Sequence, residues 1–552
     1  MSHKDRAKVC ETQNTQFPTI EPHRQSSRFQ PQLSTSTQIF PPRSSFDPTL
    51  SNTMESLAEQ TWDVILHGTG LQQSLLALAL SRSGKQILHL DPNEYYGGPE
   101  AAFSLQEIEE WATANAAPTD DATGSSRVFS SAAVSKPEVA TGSGPLLSFP
   151  RAYSLALAPQ IIHTRSELVK QLVSSRAFRQ IEFLAVGSFF IYTPPAASSG
   201  TEAGKPSLVP IPSTREAVFS TTAIPARAKR SLMKFLKFVF DYNSEDNKGI
   251  WASHADKPLS EFLSSDFKLD AALQSYVVTL TLSLDGKVST KDGLAAIHRH
   301  LSSMGAFGPG FAAVYPKWGG LSEIAQVGCR ACAVGGAVYM LGTGTKATRQ
   351  FNEAQEDGAR FEVDLTSDVM VKSRTLIRGA EEVASVGQRV SRLTAVVNSP
   401  LSSLFEAVVE GSPTPAVAVI AFPATSIADV ASPFPIYVFA HSSETGECPT
   451  GQTEALEKAL ALLLSALGDG EDKPEAIYKV AYQQALAAAS DSADASDVLP
   501  SLPLDLAFSD TALEPVKDAW TKVMGSAAED SDIVYMKFED REGVGDEEDV
   551  YE

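Results

Sequence analysis

The chain has 552 residues, of which 43% are hydrophobic and 8% aromatic, so it can bury a sizeable core in about three or four domains. Its net charge of -22 excludes nucleic acid as an expected partner, because nucleic-acid binding needs a basic surface. No apolar run approaches the ~18 residues that span a bilayer. Four cysteines are too few for a disulfide scaffold and indicate a reducing compartment, so we expect a cytoplasmic protein.

Residues 1–53 are rich in Ser, Thr, Pro and Gln and show no helical or strand period. They contain no apolar stretch typical of a secretory signal, and acidic residues argue against a mitochondrial transit peptide. We therefore predict a disordered N-terminal extension. Met54 is a candidate true start, because the folded pattern begins just after it.

The folded pattern opens with a strand at 62–67, a tight turn at 68–70 and a helix at 71–82. A second strand at 87–90 follows and ends in Asp91. This strand–turn–helix–strand unit of about 30 residues is typical of a dinucleotide-binding domain.

The glycines of the turn give the first two positions of the G-x-G-x-x-G fingerprint, Gly68 and Gly70, but Gln73 stands where the third glycine belongs. The third glycine lets the helix pack closely on its strand, and Asp91 lies where a ribose-binding acid is expected. Two interpretations are open at this point: a bound dinucleotide, or a turn kept for structure alone. We favour the second, a vestigial turn with no cofactor, because Gln73 crowds the entry of the helix.

Further along, two stretches rich in small residues and proline predict a mobile insertion at 113–148 and a shorter one at 194–206. Strands are expected between them at 181–186 and 188–192. From 213 the pattern becomes helical, beginning with a capping box at 213–216. The predicted helices cover 226–242, 259–263, 271–284 and 291–303, the last capped by Ser289 or Thr290.

After Pro316 the pattern returns to strands, predicted at 334–341, 361–363, 369–371, 416–422 and 436–439. One more amphipathic helix is expected at 454–467 with Thr453 as its N-cap. The resulting domain boundaries are an extension at 1–53, the first part of domain I at 54–212, a helical domain II at 213–304, the second part of domain I at 305–530, and an acidic tail at 531–552.

Two sequence blocks carry a family resemblance. Residues 91–98 read Asp-Pro-Asn-Glu-Tyr-Tyr-Gly-Gly, and residues 323–330 read Glu-Ile-Ala-Gln-Val-Gly-Cys-Arg, followed by Ala-Val-Gly-Gly-Ala-Val-Tyr-Met at 333–340. Together they resemble the GDI superfamily, which comprises Rab GDP-dissociation inhibitors and Rab escort proteins. A weaker match covers 209–213 and 229–236. The resemblance implies an α/β fold, in which a flavoprotein-like domain with mixed sheets and no bound flavin carries an inserted all-helical domain.

The resemblance also implies a Rab-binding platform, whose residues map onto Tyr96, Glu323, Arg330 and the flanking Met340. Arg offers a rigid donor fork, and Tyr offers contact area with a polar tip. The residues alone leave structural alternatives open. Arg330 could form an ion pair with Glu323, and Tyr96 could cap the end of a strand.

Within the superfamily the sequence is more similar to the escort branch, on the strength of residues 81–84, the cysteine pair at 329 and 332 and the insertion at 113–148. An escort protein is not an enzyme. It binds newly made GDP-bound Rab, presents it to the α/β heterodimer of Rab geranylgeranyltransferase, holds the geranylgeranyl lipid and touches membranes transiently. Phe262 is the candidate transferase contact, although apolar residues of the helical domain are more often ordinary core.

Two alternative functions stay open: a Rab GDP-dissociation inhibitor that recycles prenylated Rab, and an FAD-dependent oxidoreductase. Other chemistry finds no support. Cys329 and Cys332 lack a second ligand pair at zinc spacing, so we expect no metal. His298 and His300 do not share a helix face. The sequence contains no recognisable nucleophile elbow or pair of catalytic carboxylates, so we expect no catalytic residues.

Overall fold

The computed structural model describes most of the chain beyond residue 55. The described residues are 56–117, 128–136, 147–195, 206–212, 218–219, 224–380, 385–407, 411–424, 426–427, 434–448, 453–454, 463–464, 466–467, 474–488, 498–529 and 533–539. The predicted extension at 1–53, the capping box at 213–216 and residues 540–552 of the acidic tail lie outside them. In the described part, no helix is both long enough and apolar enough to cross a membrane.

The strands lie in two large sheets and one small one. In chain order they are β1 (Thr61–His67), β2 (Ile87–Asp91), β3 (Ala102–Phe103), β4 (Phe129–Ser135), β5 (Leu155–Ala156), β6 (Ile162–His163), β7 (Phe183–Thr193), β8 (Ser207–Pro210), β9 (Ala313–Pro316), β10 (Val338–Leu341), β11 (Thr345–Gln350), β12 (Phe361–Leu365), β13 (Met370–Gly379), β14 (Ser385–Val397), β15 (Val417–Phe422), β16 (Ile436–His441), β17 (Thr453–Glu454), β18 (Ala476–Ala488) and β19 (Val498–Leu499).

Of the described helices, five follow one another between β8 and β9, and the others pack on the sheets. In chain order they are α1 (Leu71–Leu80), α2 (Leu105–Ala114), α3 (Glu167–Ser174), α4 (Ala226–Phe240), α5 (Glu245–Trp251), α6 (Leu259–Phe267), α7 (Ala271–Thr279), α8 (Thr290–Ser303), α9 (Leu321–Val334) and α10 (Glu514–Met524).

The first sheet has the strand order β10-β2-β1-β13-β12-β11, with β19 beside β13. Strands β10, β2, β1 and β13 are parallel, whereas β12 and β11 are antiparallel. This arrangement confirms the predicted βαβ opening and the α/β fold class. Parallel strands are buried on both faces, which explains why all five residues of β2 are buried.

The second sheet has the order β4-β18-β14-β17-β16-β15-β7-β9-β6, with β8 beside β7. Its edge strand β4 lies inside the predicted mobile insertion at 113–148, so that prediction is wrong for this part, while 118–127 and 137–146 lie outside the described residues. The two short strands predicted at 181–192 form the single strand β7. Strand β18 was not predicted, although its first half contains the strand formers Ile477, Tyr478, Val480 and Tyr482. Its second half is rich in Ala and Gln, which do not favour a strand.

Helices α4 to α8 surround their own apolar core, which includes Phe235, Val239, Leu263 and Ile297. The predicted helix at 271–284 ends earlier, at Thr279, and Leu282 adopts a left-handed backbone with φ 55°. Ser289 caps α8 as predicted, since its hydroxyl accepts a hydrogen bond from the Asp292 backbone at 3.1 Å.

Phe262 belongs to this helical core and does not reach the surface. Its side chain is 0% exposed, and its ring lies 5.5 Å from Phe267 and 5.9 Å from Phe238, centroid to centroid. The prediction that Phe262 contacts a partner enzyme is therefore wrong for this structure, because a fully buried ring offers no area to another protein.

Three further predictions need correction. Residues 321–334 form helix α9, so the strand predicted at 334–341 begins only at Val338. Thr453–Glu454 is a short strand, so the predicted helix does not start there. Residues 463–464 and 466–467 are helical, and the rest of 455–467 lies outside the described residues. Residues 533–539 were assigned to the acidic tail. They instead pack through Met536, which is 1% exposed, on the apolar core that contains α1 and α9.

Helices α1 and α9 cross at glycine. A Cβ on Gly328 would lie 2.4 Å from the carbonyl oxygen of Ser74, and a Cβ on Gly335 would lie 2.0 Å from that of Ser81. The two glycines are seven residues, or about two turns, apart, so both face α1. Any larger residue would force the helices apart.

We predict that Gly328→Ala lowers the free energy of unfolding by at least ~1–3 kcal/mol, because the obstructing atom is backbone and cannot rotate away. Gly249→Ala is the matched control. Gly249 lies inside α5 with no atom within 4 Å of its Cβ position, so the change should be neutral or stabilise by up to ~1 kcal/mol. Denaturant unfolding of both variants checks the pair, and a Gly328→Ala protein as stable as the parent would contradict the close crossing.

We also predict that Phe262→Ala lowers stability by ~3–5 kcal/mol through the cavity it leaves. Phe240→Ala removes the same ring from a position that is 53% exposed and should stay within ~0.5 kcal/mol of the parent. Thermal melting compares the two. A stable Phe262→Ala protein that fails only to bind a partner enzyme would restore the contact interpretation.

Candidate functional site

The Tyr-Tyr-Gly-Gly turn rests on the first turn of α9. Gly97 has a φ of 100°, a conformation that favours glycine. A Cβ at Gly97 would lie 3.4 Å from the Ser322 hydroxyl, and one at Gly98 would lie 3.4 Å from the Gly70 backbone nitrogen. The backbone of Gly97 also donates to the Thr69 carbonyl at 3.2 Å. The turn thus joins the start of α1 to the start of α9 and fixes the position of Tyr96.

Tyr96 is partly exposed above the sheet edge. Its ring centroid lies 6.2 Å from that of Tyr339 on β10. Burial is the main reason that the pKa of its hydroxyl is raised, and the nearby Cys329 and Asp91 add to the effect. Tyr96 therefore remains a neutral phenol with one accessible side, a form suited to contact with a protein partner.

Helix α9 presents an exposed stripe to solvent. Glu323 is half-buried, whereas Gln326 and Arg330 are exposed, and their spacing of three and then four residues places them on one face. We call Tyr96, Glu323, Gln326 and Arg330 the α9 platform. Gln326 was missed from sequence, although it occupies the Gln position of the motif that locates its neighbours.

Glu323 holds the preceding loop and does not pair with Arg330. Its Oε2 accepts a hydrogen bond from the Trp318 backbone at 3.4 Å, and burial raises the pKa of its carboxyl group. Arg330 lies two helical turns away, about 10 Å along the axis, and makes no ion pair with any residue in the described part of the chain. The structural alternative of a Glu323–Arg330 ion pair is therefore wrong.

Trp318 is a second candidate that sequence reasoning missed. Its side chain is 53% exposed, and the Lys317 ammonium lies 5.3 Å from its ring centre. One ring edge is fixed against Gly446, whose Cβ, if present, would lie 2.4 Å from the ring. An aromatic side chain that is held on one edge and exposed on the other loses little entropy on binding. Its position in the loop that leads to Glu323 could have identified Trp318 from the sequence.

Met340 lies apart from the platform. It is on the edge strand β10, where neighbouring side chains alternate between faces. Met340 packs with Val338 against the cluster around Trp62, whereas Tyr339 joins the opposite cluster. Only an approach along the sheet edge could reach both Met340 and Tyr96, so its assignment to the platform stays a prediction.

The glycine turn is closed by the chain's own carboxylates. Glu100 accepts a hydrogen bond from the Leu71 backbone at 2.9 Å at the start of α1, the position that a pyrophosphate takes in dinucleotide-binding folds. Asp91 turns onto Thr69, accepting from its backbone at 2.7 Å and its hydroxyl at 2.6 Å. Gln73 reaches back over Gly70. These residues do not fit a dinucleotide, because a carboxylate already occupies the anion site.

The cysteine pair is buried and protonated. Burial raises the pKa of Cys329 to about 11 and that of Cys332 to about 12, and Cys329 lies 3.3 Å from the Ser74 hydroxyl. A metal binds the thiolate and not the thiol. Among the described residues, no group of three metal-ligating side chains comes together.

The sequence matches the family described as GDI, GDP dissociation inhibitor, over residues 58–144 and 144–410. Two curated relatives share the name Rab proteins geranylgeranyltransferase component A. The one from Saccharomyces cerevisiae is 29% identical over 371 residues, which cover 66% of this chain and 56% of the relative. The one from Candida albicans is 32% identical over 282 residues, which cover 51% and 41%. The chain thus spans about half the length of these relatives.

Among solved structures, Rab GDI from Plasmodium falciparum aligns with a TM-score of 0.59 and 21% identity, over 84% of this chain and 98% of that chain. This likeness shows the shared fold. The family match covers more than half of the chain, and the α9 platform lies within it. The chain therefore belongs to the GDP dissociation inhibitor family.

Proposed function

We propose that this chain is a Rab escort protein. It binds newly made GDP-bound Rab, presents it to the α/β heterodimer of Rab geranylgeranyltransferase and delivers the prenylated product to a membrane. The bond-forming chemistry belongs to the transferase, so the chain itself is not an enzyme. It acts in the cytoplasm with transient membrane contact.

The observation that carries this proposal is the exposure of Arg330 and its lack of an ion-pair partner among the described residues. Its guanidinium is exposed on a helix fixed against α1, and no described residue neutralises it. A rigid, unpaired Arg is a strong donor for a carboxylate or carbonyl on a partner. Tyr96 and Trp318 add aromatic area nearby on the segments that α9 contacts. This composition, Arg with Tyr and Trp, is the one most enriched among residues that dominate binding energy.

The net charge of -22 supports a partner with basic segments. A protein with this charge attracts a basic tail over distances near the Debye length, about 8 Å at physiological salt. The geranylgeranyl chain itself requires apolar surface. The helical domain exposes Phe240 and Ile250 at 53% and 43%, and these side chains are better candidates for partner or lipid contact than the buried Phe262.

A Rab GDP-dissociation inhibitor is the related alternative. Two relatives named as GDP dissociation inhibitors, from Arabidopsis thaliana and Schizosaccharomyces pombe, are each 24% identical to this chain, less than the two component A proteins described above. Co-precipitation with transferase subunits in the presence of a GDP-bound Rab separates the two. Recovery of the ternary complex supports an escort protein, whereas binding of prenylated Rab without transferase supports the inhibitor.

We predict that Arg330→Ala weakens binding of a GDP-bound Rab by roughly thirtyfold, about 2 kcal/mol, because the partner's acceptor is left desolvated and unpaired. Arg349→Ala is the control. Arg349 is an exposed Arg on β11, which is the edge of the first sheet opposite to β10. Affinity and melting temperature are measured on the same samples. Unchanged affinity in a folded Arg330→Ala protein would remove this residue from the site.

We also predict that Trp318→Ala weakens Rab binding, while Trp318→Phe retains most of the affinity because an aromatic ring remains. Glu323→Ala should act in the same direction by releasing the Trp318 loop. A variant with both Trp318→Ala and Glu323→Ala should lose less binding free energy than the sum of the two single losses. The difference should be ~0.5 kcal/mol or more, as expected for residues that act together. Strictly additive losses would show that Glu323 contacts the partner independently of the loop.

A further inference from the structure

A buried carboxylate lies beneath the loop that carries Trp318. It belongs to Glu447, which is 0% exposed and lies six residues after the end of β16. The Tyr315 hydroxyl donates to its Oε1 at 2.6 Å, and the His441 Nδ1 forms a hydrogen bond with its Oε2. We call these three side chains the Glu447 network. A carboxylate away from water is stable only when its partners are well placed, so such a network holds one geometry.

The Glu447 network meets the loop at Tyr315. This residue is fully buried on β9, three residues before Trp318. Gly320 passes so close that a Cβ there would lie 2.6 Å from the Tyr315 hydroxyl, and its φ of 61° favours glycine. The Gly320 backbone also donates to the Pro316 carbonyl at 3.3 Å and so closes the loop. The position of the Tyr315 hydroxyl therefore limits the path of the loop where it enters α9.

The chain around Glu447 also contacts the loop at two points. Gly446 lies against the Trp318 ring, where a Cβ would come within 2.4 Å of it. The Glu447 carbonyl accepts from the Ser154 backbone at 3.1 Å, and the Ser154 hydroxyl would lie 3.1 Å from a Cβ on Gly319. One buried carboxylate is thus linked to the start of the loop, to its middle and to the ring that it exposes.

We propose that Glu447 is the positioning residue of the Trp318 loop, whose carboxylate keeps the Trp318 ring in the orientation that contacts a Rab. Glu447 is fully buried, so it acts through Tyr315 and Gly446 and not by touching the partner. A ring that is already held in its bound orientation loses less entropy on binding. The inference rests on the proposed function and deepens it, because it places a determinant of Rab affinity on β9 and β16, away from α9.

The orientation of Trp318 can be measured without a Rab. The chain has five Trp residues. Trp318 is 53% exposed, whereas Trp62, Trp111 and Trp520 are at most 6% exposed and Trp251 is half-buried. Acrylamide quenching of the fluorescence therefore reports mainly on Trp318, and the same measurement on Trp318→Phe variants isolates its signal.

Tyr315→Phe removes only the hydroxyl that reaches Glu447, and it should raise the quenching of Trp318. It should also weaken binding of a GDP-bound Rab by about tenfold, because a buried hydrogen bond to a carboxylate is lost. In a Trp318→Ala background the same change should have little further effect on affinity. In an Arg330→Ala background it should keep its full effect, since Arg330 lies on a part of α9 that the loop does not hold.

Glu447→Ala should act in the same direction as Tyr315→Phe in both measurements. Glu447→Gln should retain most of the affinity, because its amide can accept from Tyr315 and donate to His441. Tyr437→Phe is the control. It removes a hydroxyl from another buried tyrosine of the same apolar core, and it should leave the quenching of Trp318 and the Rab affinity unchanged.

Two results would overturn the proposal. Parental quenching of Trp318 in both Tyr315→Phe and Glu447→Ala would show that the Glu447 network does not position the ring. Equal losses of affinity in the Trp318→Ala and Arg330→Ala backgrounds, together with a lower melting temperature, would show that it only stabilises the fold. A parent chain that binds no GDP-bound Rab would instead contradict the proposed function, and the quenching measurement would still decide the positioning role.

Discussion

The close crossing of α1 and α9 is the constraint on which the rest of the site depends. Because Gly328 and Gly335 bring α9 onto the Ser74 and Ser81 carbonyls, the helix has no freedom to shift against the first sheet. The same helix carries Glu323, Gln326 and Arg330 on its outer face. The Tyr-Tyr-Gly-Gly turn and the Trp318 loop then contact its first turn, so the orientation of the exposed side chains follows from a buried backbone contact.

Sequence patterns predicted the elements whose conformation depends mainly on neighbouring residues in the chain. The βαβ opening has a strand period, a glycine turn and a helical period in succession, and the structure confirms all three. The end of α7 was harder to predict, because Leu280 and Leu282 continue the apolar pattern while the backbone turns. Strand β4 was hidden in a run of Ser and Ala, since its stability comes from pairing with β18, over 300 residues away.

The candidate site was likewise predicted only in part from the sequence. Tyr96, Glu323 and Arg330 could be located from their motifs, because each motif also has a turn or helix to build. The roles of the residues needed the fold. The helix over 321–334 was not predicted, although Leu321, Ile324 and Ala325 have helical spacing. Only the structure shows that Glu323 bonds to the loop before it and that Met340 faces the other side of the sheet. Burial of Phe262 depends on how the helices pack together, which no local pattern contains.

The helical cluster has its own core, but it is joined to the second sheet by packing and by hydrogen bonds. Leu280 and Leu282, which follow α7, are buried in the core of that sheet. Where α8 ends, the Thr164 hydroxyl donates to the Ser303 carbonyl at 2.7 Å, and the Ser303 hydroxyl accepts from the Arg165 backbone.

The Glu100 carboxylate has a consequence for how the protein depends on its surroundings. A fold that completes its helix terminus with a soluble anion is stabilised in proportion to the logarithm of that anion's concentration. Here the anion is tethered to the same chain, so its effective concentration is constant and independent of supply. The first domain can thus keep the same stability whether the cell is rich or poor in nucleotide cofactors.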